Sequence, residues 1–266
     1  MNSTILTIGV LTFNNSQSEL SRWYRSLSLA LQQLDSTLQV RVLSLDNGER
    51  SWLAEQPNIQ SLKPIGNVGF ARGVNHLMEE AFVRQGSDYF ITCNPDGYFH
   101  PLCLKHLLAN HLKNPKAIIE ARIFPEEHPK TYDLKTGQTN WAVGCCLFIP
   151  KDIFVATLGF DTNFFLYLED VDFSWRCRDL GFQVIFSPSS FYGHGLHGRN
   201  EGAVSRRSQL MKAGAYFAKK WNLKKELHKL EENTLLETER PTVISGKFNG
   251  RKYNEGEFFV FSKVRW

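Results

Sequence analysis

Two adjacent carboxylates, Glu169 and Asp170, stand where an apolar run, Phe164 to Leu168, gives way to a helical pattern. Beyond them Phe173, Cys177 and Leu180 share one face, Val171 and Trp175 lie beside it, and Gly181 occupies the place of a helix C-cap. The pair is therefore expected at a strand or loop end that meets a helix N-terminus. There, free N–H groups and the helix dipole favour the ionised carboxylate. A carboxylate placed in this way can take a proton from an incoming hydroxyl. An N-cap followed by an acidic first turn is the plain structural reading of the same residues, so the chemical one needs support from elsewhere in the chain.

That support comes from the ends of the expected strands. Thr4 to Phe13 is apolar and β-branched, as a strand buried on both faces should be, and it runs into Asn14, Asn15 and Ser16. Val40 to Leu45 ends in Asp46-Asn47-Gly48, and Ile59 to Ile65 ends in the glycine-rich segment from Gly66 to Asn75. Tyr89 to Cys93 ends in Asn94-Pro95-Asp96-Gly97. Helical patterns separate these runs: Leu20 to Leu34, Leu77 to Phe82, and a helix opened by Pro101. Alternation of this kind predicts an α/β fold with a mainly parallel twisted sheet flanked by helices. Ligands of such sheets bind beyond the carboxyl ends of the strands, where Thr12, Asn14, Asp46 and Asp96 fall. Each segment taken singly is also a good turn. The glycines match neither the dinucleotide fingerprint nor a lysine-bearing phosphate loop, although amides opening a helix suit a diphosphate or a sugar edge.

Further along, Lys116 to Phe124 reads as a strand, Glu126 to Asn140 as a flexible polar loop, and Trp141 to Ile149 as a return to the core. A tryptophan at such an entrance is commonly packing, and a flat ring beside a carboxylate is also how proteins hold sugars. After the acidic pair, Phe182 to Phe186 is an expected strand. Phe191 to Arg199 is an expected glycine-rich turn carrying His194 and His197, which could touch metal or phosphate. Ser205 to Leu230 is helical and basic, with Leu210, Ala213, Phe217 and Trp221 forming an apolar stripe. Thr242 to Val264 reads as a short hairpin.

The chain of 266 residues, 42% hydrophobic, can bury a sizeable core. A net charge of +4 demands no nucleic-acid partner. Five cysteines, odd in number and mostly within apolar patterns, read as buried thiols of a reducing compartment. With no bilayer-length apolar run and no signal-peptide order at the N-terminus, the expected location is cytoplasmic. Peripheral membrane contact through the basic helix is a further expectation, weighed against an ordinary amphipathic surface helix.

An ordered set of these segments resembles glycosyltransferase family 2, inverting enzymes of GT-A fold, and most of all its rhamnosyltransferase-like branch. The set comprises Val10 to Asn14, Asp46-Asn47, Asn67 to Asn75, Asn94-Pro95-Asp96, Trp141 with Gly144, and Phe165 to Asp172 ahead of Arg176 and Gly181. It covers roughly residues 4 to 200, which implies a GT-A domain over 1–204 and an extension of basic helix and hairpin over 205–266. The resemblance implies that Asp46, Thr12 and Asn14 hold the nucleoside, while Asn67, Gly69, Phe70, Asn75 and Asn94 complete the nucleotide-sugar site. Asp96 matches the surviving carboxylate of the family's metal-binding Asp-x-Asp, with Asn94 in the first acidic place. His194 matches a second metal ligand, and His197 is a less certain substitute. One hard anionic ligand suits Mg²⁺, which keeps waters and leans on substrate phosphates; Mn²⁺ is the alternative. Asp170 matches the general base, Glu169 the residue that positions it or the acceptor, and Trp141, Gly144 and Arg199 the acceptor site. The implied partners are a TDP- or UDP-linked sugar, rhamnose first, and a glycan or lipid-linked oligosaccharide acceptor. A sugar nucleotidyltransferase and a non-catalytic glycan-binding protein are the competing readings.

Overall fold

The computed structural model describes residues 3–48, 50–125, 127–128, 130–194 and 203–224. Strand β1 (Ile5–Thr12) leads into helix α1 (Gln17–Leu31), whose N-cap is Ser16 in a reciprocal capping box with Glu19. Strands β2 (Gln39–Asp46) and β3 (Gln60–Ser61) follow, then helix α2 (Gly69–Glu79) and strand β4 (Tyr89–Cys93). The third strand is far shorter than the expected Ile59 to Ile65. A short strand β5 (Gly97–Phe99), helix α3 (Cys103–Lys113) and strand β6 (Ala117–Phe124) come next. The remainder is β7 (Cys146–Pro150), α4 (Lys151–Thr157), α5 (Glu169–Asp179), β8 (Gln183–His194) and α6 (Ala203–Lys220).

The strands form one sheet in the order β3-β2-β1-β4-β7-β6-β8-β5. The α/β architecture is the expected one, but the sheet is mixed. From β3 to β4 neighbours run parallel, as does β8 beside β6, whereas β7 runs antiparallel to both β4 and β6, and β5 antiparallel to β8. The reason lies in the connections. Parallel neighbours need a crossover, which α1 and the α2 segment supply. The described residues between β6 and β7 hold no helix, and the chain returns antiparallel.

Several local expectations give way to longer-range pairing. Phe191 to His194 are the last residues of β8 and not a glycine-rich turn, because Gly97 to Phe99 pair with them. His197, Arg199 and the Thr242 to Val264 hairpin lie outside the described residues. Phe164 to Leu168 is a loop, and Tyr167 and Leu168 both take left-handed backbone with φ of 74° and 65°. Leu180 is exposed, because the helix turns out of the core one residue before Gly181, whose φ of 86° ends it. The polar segment before Trp141 is tied down as well. Asp133 caps its own turn through the Thr136 and Lys135 amides, and Gln138 bridges to Ile185.

Helix α6 packs into the same core as the sheet. Phe217 lies against Trp175 of α5 with ring centroids 5.0 Å apart, and Tyr216 against Phe164 at 4.8 Å. At its end, Lys220 Nζ sits 2.7 Å from Asp161 Oδ2 and 2.7 Å from Asp172 Oδ1, while Trp221 Nε1 donates to Asp172 Oδ1 at 3.0 Å. Lys220 therefore points inward, contrary to a wholly solvent- or membrane-facing basic surface. Lys212, Lys219 and Lys224 are exposed. Among the described residues no helix is long and apolar enough to cross a membrane.

Burial alone would raise the Asp161 carboxyl, but the Lys220 charge, with hydrogen bonds from Lys220, the Asn163 amide and Tyr216, outweighs it and holds the group below its ordinary value. Replacing Lys220 by Met takes the ammonium from buried Asp161, while Asp172 keeps Arg176, and should cost about 3–5 kcal/mol. The depressed Asp161 makes its contribution fully present above the ordinary aspartate pKa and lost as pH falls through the lower folded value. Thermal unfolding across pH 2–6 should then show a lower melting temperature and a flatter acid dependence in Lys220→Met than in the parent.

Candidate active site

Three strand registers assemble the site. In the β1–β2 pair Thr12 stands opposite Asp46. The antiparallel β4–β7 pair sets Cys93 opposite Cys146, so the segment leaving β4 meets the segment entering β7. The antiparallel β5–β8 pair sets Gly97 opposite His194.

The first register makes a buried polar corner. Thr12 Oγ1 donates to Asp46 Oδ1, and the Ser51 amide donates to Asp46 Oδ2 at 3.1 Å. Each oxygen keeps a further lone pair for an outside donor. Next to it, the Asn47 amide side chain spans to α2. Its Nδ2 donates to the Gly69 carbonyl at 3.1 Å, and its Oδ1 accepts from the Val68 amide at 3.3 Å. Asn14 takes left-handed backbone, φ 54°, at the turn leaving β1.

Asn67 Oδ1 accepts from the Gly69 amide at 3.2 Å, and the Phe70 amide donates to the Phe165 carbonyl at 2.7 Å. The glycine-rich segment is thereby fastened to the loop that delivers the acidic pair. Asn75 is used differently. Its amide clamps Phe160, donating to the carbonyl at 2.7 Å and accepting from the amide at 2.8 Å, so its polar atoms hold backbone two helical turns from the corner at Asn47.

The second and third registers gather the other acids. The Asn94 amide donates to the Cys145 carbonyl at 2.9 Å, and buried Tyr192 donates its hydroxyl to the Asn94 carbonyl at 2.5 Å. His194 Nε2 lies 3.2 Å from Asp96 Oδ1 and 3.2 Å from Asn94 Nδ2. On the other side of Cys145, the Gly144 amide donates to Asp170 Oδ2 at 3.0 Å, and the Val171 amide donates to Asp170 Oδ1 at 2.8 Å. Asp96, Glu120 and Asp170 all oppose ionisation of the Cys145 thiol, which burial already pushes well up. The segments that carry Asp96 and Asp170 thus meet at Cys145, one through the Asn94 amide and the other through the Gly144 amide. Trp141 is buried, its ring covered by Lys130 at 4.7 Å and by His128 edge-on at 6.1 Å, so it packs under the site.

The expectation that the helix N-terminus keeps both acids ionised needs correction. Burial pushes Glu169 well above the usual carboxylate range, the neighbouring Asp170 charge adds to this, and Glu169 Oε2 has no hydrogen-bond partner. Burial raises Asp170 too, opposed by the Gly144 and Val171 amides and by Lys130. Both carboxyls are thus pushed upward, Glu169 the more strongly, and half-buried Asp170, held by two amides, is moved in the direction a base requires.

Asp96, His194 and Asn94 converge without forming a full cage, and among the described residues no cluster of three His, Cys, Asp or Glu could hold an ion. One partly exposed carboxylate with one imidazole fits a hydrated divalent cation completed by substrate oxygens. Sequence reasoning missed Arg22, which donates to the Asp96 carbonyl at 3.0 Å, and the buried pair Glu120–Lys130. An acid inside the apolar strand Ala117–Phe124 was the available signal for the latter.

No family model matches the chain. Among solved structures it is similar to the mannosyltransferase PcManGT from Pyrobaculum calidifontis in complex with GDP-Man and Mn²⁺, at 13% identity and a TM-score of 0.60 over 81% of this chain and 64% of that one. It is also similar to GalNAc-T7 with UDP, GalNAc and Mn²⁺, at 13% identity and a TM-score of 0.58 over 71% of this chain. The chain spans only 42% of that longer protein. The fold is that of the GT-A glycosyltransferases. In sequence, the chain is 23% identical over 229 residues to an N-acetylglucosaminyl-diphospho-decaprenol L-rhamnosyltransferase of Mycobacterium tuberculosis, covering 70% of this chain and 74% of the relative. The resemblance to family 2 and its rhamnosyltransferase-like branch stands on this likeness and the shared fold together.

Gly69 bears on how the site is held. Its φ is +80°, and a Cβ there would lie 2.3 Å from the Phe165 carbonyl oxygen. Gly69→Ala should lose about 1–2 kcal/mol from the left-handed backbone alone. It should also part Phe70 from Phe165, read as a lower melting temperature together with weakened nucleotide binding in calorimetry.

Proposed function

We propose that the protein is an inverting glycosyltransferase that moves a sugar, L-rhamnose first, from a nucleotide-diphosphate donor to a hydroxyl of a lipid-linked glycan. The observation that carries this reading is the convergence of Asp96 and Asp170 on the two sides of Cys145, one beside an imidazole and the other on a helix N-terminus. The rhamnosyl donor and the lipid-diphosphate acceptor are suggested by the name of the mycobacterial relative. Residues 1–204 would form the transferase unit and 205–266 an extension, with exposed Lys212, Lys219 and Lys224 of the last helical segment available to an anionic membrane at the cytoplasmic face.

Asp170, fixed by two amides, takes the proton of the acceptor hydroxyl as that oxygen attacks the anomeric carbon. Attack from the face opposite the departing diphosphate inverts the configuration, and no enzyme nucleophile is needed. Glu169, which burial biases toward its acid form, positions the acceptor by hydrogen bonding. Asp46 and Thr12 with Asn14 bound the nucleoside, while Asn67, Gly69, Phe70 and Gly144 line the way toward the base. Asp96 and His194, with Asn94 beside them, would hold a Mg²⁺ or Mn²⁺ ion, which supplies Lewis-acid stabilisation of diphosphate charge when bound.

Asp170→Asn should lower turnover of TDP-rhamnose by about 10²–10⁴-fold while donor affinity stays within a factor of a few. Parent-like turnover in that variant removes Asp170 as the base. Asp96→Ala should abolish the gain in donor affinity that Mn²⁺ gives the parent, measured by calorimetry with and without the ion. A gain that persists takes Asp96 out of the metal site.

A further inference from the structure

The backbone from Trp141 to Gly144 runs between two acids on successive amides. Val143 N–H donates to Glu120 Oε2 at 2.8 Å, and the next amide, of Gly144, donates to Asp170 Oδ2. Glu120 lies in the middle of β6 and is buried. Its counter-ion comes from outside the sheet. Lys130, in the polar segment after β6, places Nζ on Glu120 Oε2 and 3.3 Å from the Trp141 carbonyl. The same ammonium lies 4.7 Å from the Trp141 ring centre and 5.6 Å from that of Phe186, and its side chain is only 3% exposed.

A buried ion pair is a poor device for stability, since well-packed apolar residues of similar volume commonly do as well or better. What distinguishes this pair is the backbone it holds, which is the stretch that reaches Asp170.

We propose that Lys130 is a positioning residue for Asp170, drawing Glu120 and the Trp141 carbonyl together so that the Gly144 amide is aimed at the base. This rests on the reading of Asp170 as general base. The groups bearing on Asp170 are few and opposed. Burial disfavours its charged form, as do Glu120 across the Val143–Gly144 backbone and, when ionised, Glu169 beside it; the Gly144 and Val171 amides and Lys130 favour it, and Cys145 is a neutral thiol. Asp172 acts on Glu169 in the same sense as Asp170 does. Burial raises Glu120, and Lys130 opposes that shift most strongly.

The test is the pH profile of kcat/KM for TDP-rhamnose with Mn²⁺ in Lys130→Met, Lys130→Arg, Glu120→Gln and the Lys130→Met/Glu120→Gln double variant. A base must be ionised, so its pKa sets the acid limb. Removing the Lys130 charge should move that limb to higher pH by about one pH unit. Lys130→Arg should restore it. Glu120→Gln keeps an acceptor for the Val143 amide but removes a negative charge, so its limb should move to lower pH. A purely structural role would lower kcat in both variants without opposite displacements. Where Lys130→Met does not fold, the double variant against Glu120→Gln isolates the same charge, again with displacement to higher pH. Coincident limbs in either comparison overturn the assignment of Lys130 while an inactive Asp170→Asn leaves the base standing. An active Asp170→Asn removes the base itself.

Discussion

The arrangement depends on one register, the antiparallel pairing of β7 with β4. Had the chain re-entered the sheet parallel, the segment before β7 would open on the opposite edge from Asn94 to Asp96. Because Cys93 stands opposite Cys146, the carbonyl of Cys145 receives the Asn94 amide, and the residues on either side of that hydrogen bond lead to different acids. Backward along the chain lies Gly144 and the base; across the bond lies Asp96 and His194. A backbone bond in the sheet ladder is more rigid than any pair of side chains, so the separation of the two functions is set by sheet geometry.

Charge in this half of the molecule is organised as acids in excess of their cations. Lys220 serves both Asp161 and Asp172, and Arg176 completes Asp172 while also donating to the carbonyls of Thr157 and Gly159. Lys130 serves Glu120. Among the described residues no cation pairs with Glu169. Burial pushes both acids up, but Asp161, with an ammonium in contact, is held low, whereas the carboxylates of Asp170 and Asp172 beside Glu169 add to its rise.

What the sequence made legible was whatever a local pattern encodes. The β-branched first strand, the polar break at Asn14 to Ser16, the C-terminal Gly181 and the apolar stripe through Ala213 and Phe217 all follow from spacing within a dozen residues. The acids at strand ends were legible for the same reason, since a strand must end somewhere and a polar residue marks the place. Pairings across the chain were not. β5 is three residues long and exists because β8 runs past it, which no propensity in Gly97 to Phe99 announces. Lys130 and Lys220 looked like ordinary members of polar and basic stretches, and only the fold reveals which lysine of several meets a buried acid. Trp141 likewise offered a flat ring to a sugar on paper, whereas Lys130 covers it.

The loop that delivers the base carries the clearest local cost. Tyr167 and Leu168 both hold left-handed backbone, about 1–2 kcal/mol each for residues with a side chain, and the orphaned oxygen of Glu169 adds about 1–3 kcal/mol. Neither is needed to start a helix; a serine at the N-cap would do so without strain. The neighbouring aromatic packing of Phe164 on Tyr216 and Trp175 on Phe217 and Trp221 is where an offset is available, and all of it involves α6 or the residue after it. The last described helix is thus coupled to the strained loop by both rings and charges. Helix α6 thereby holds in place the turn on which the proposed chemistry depends.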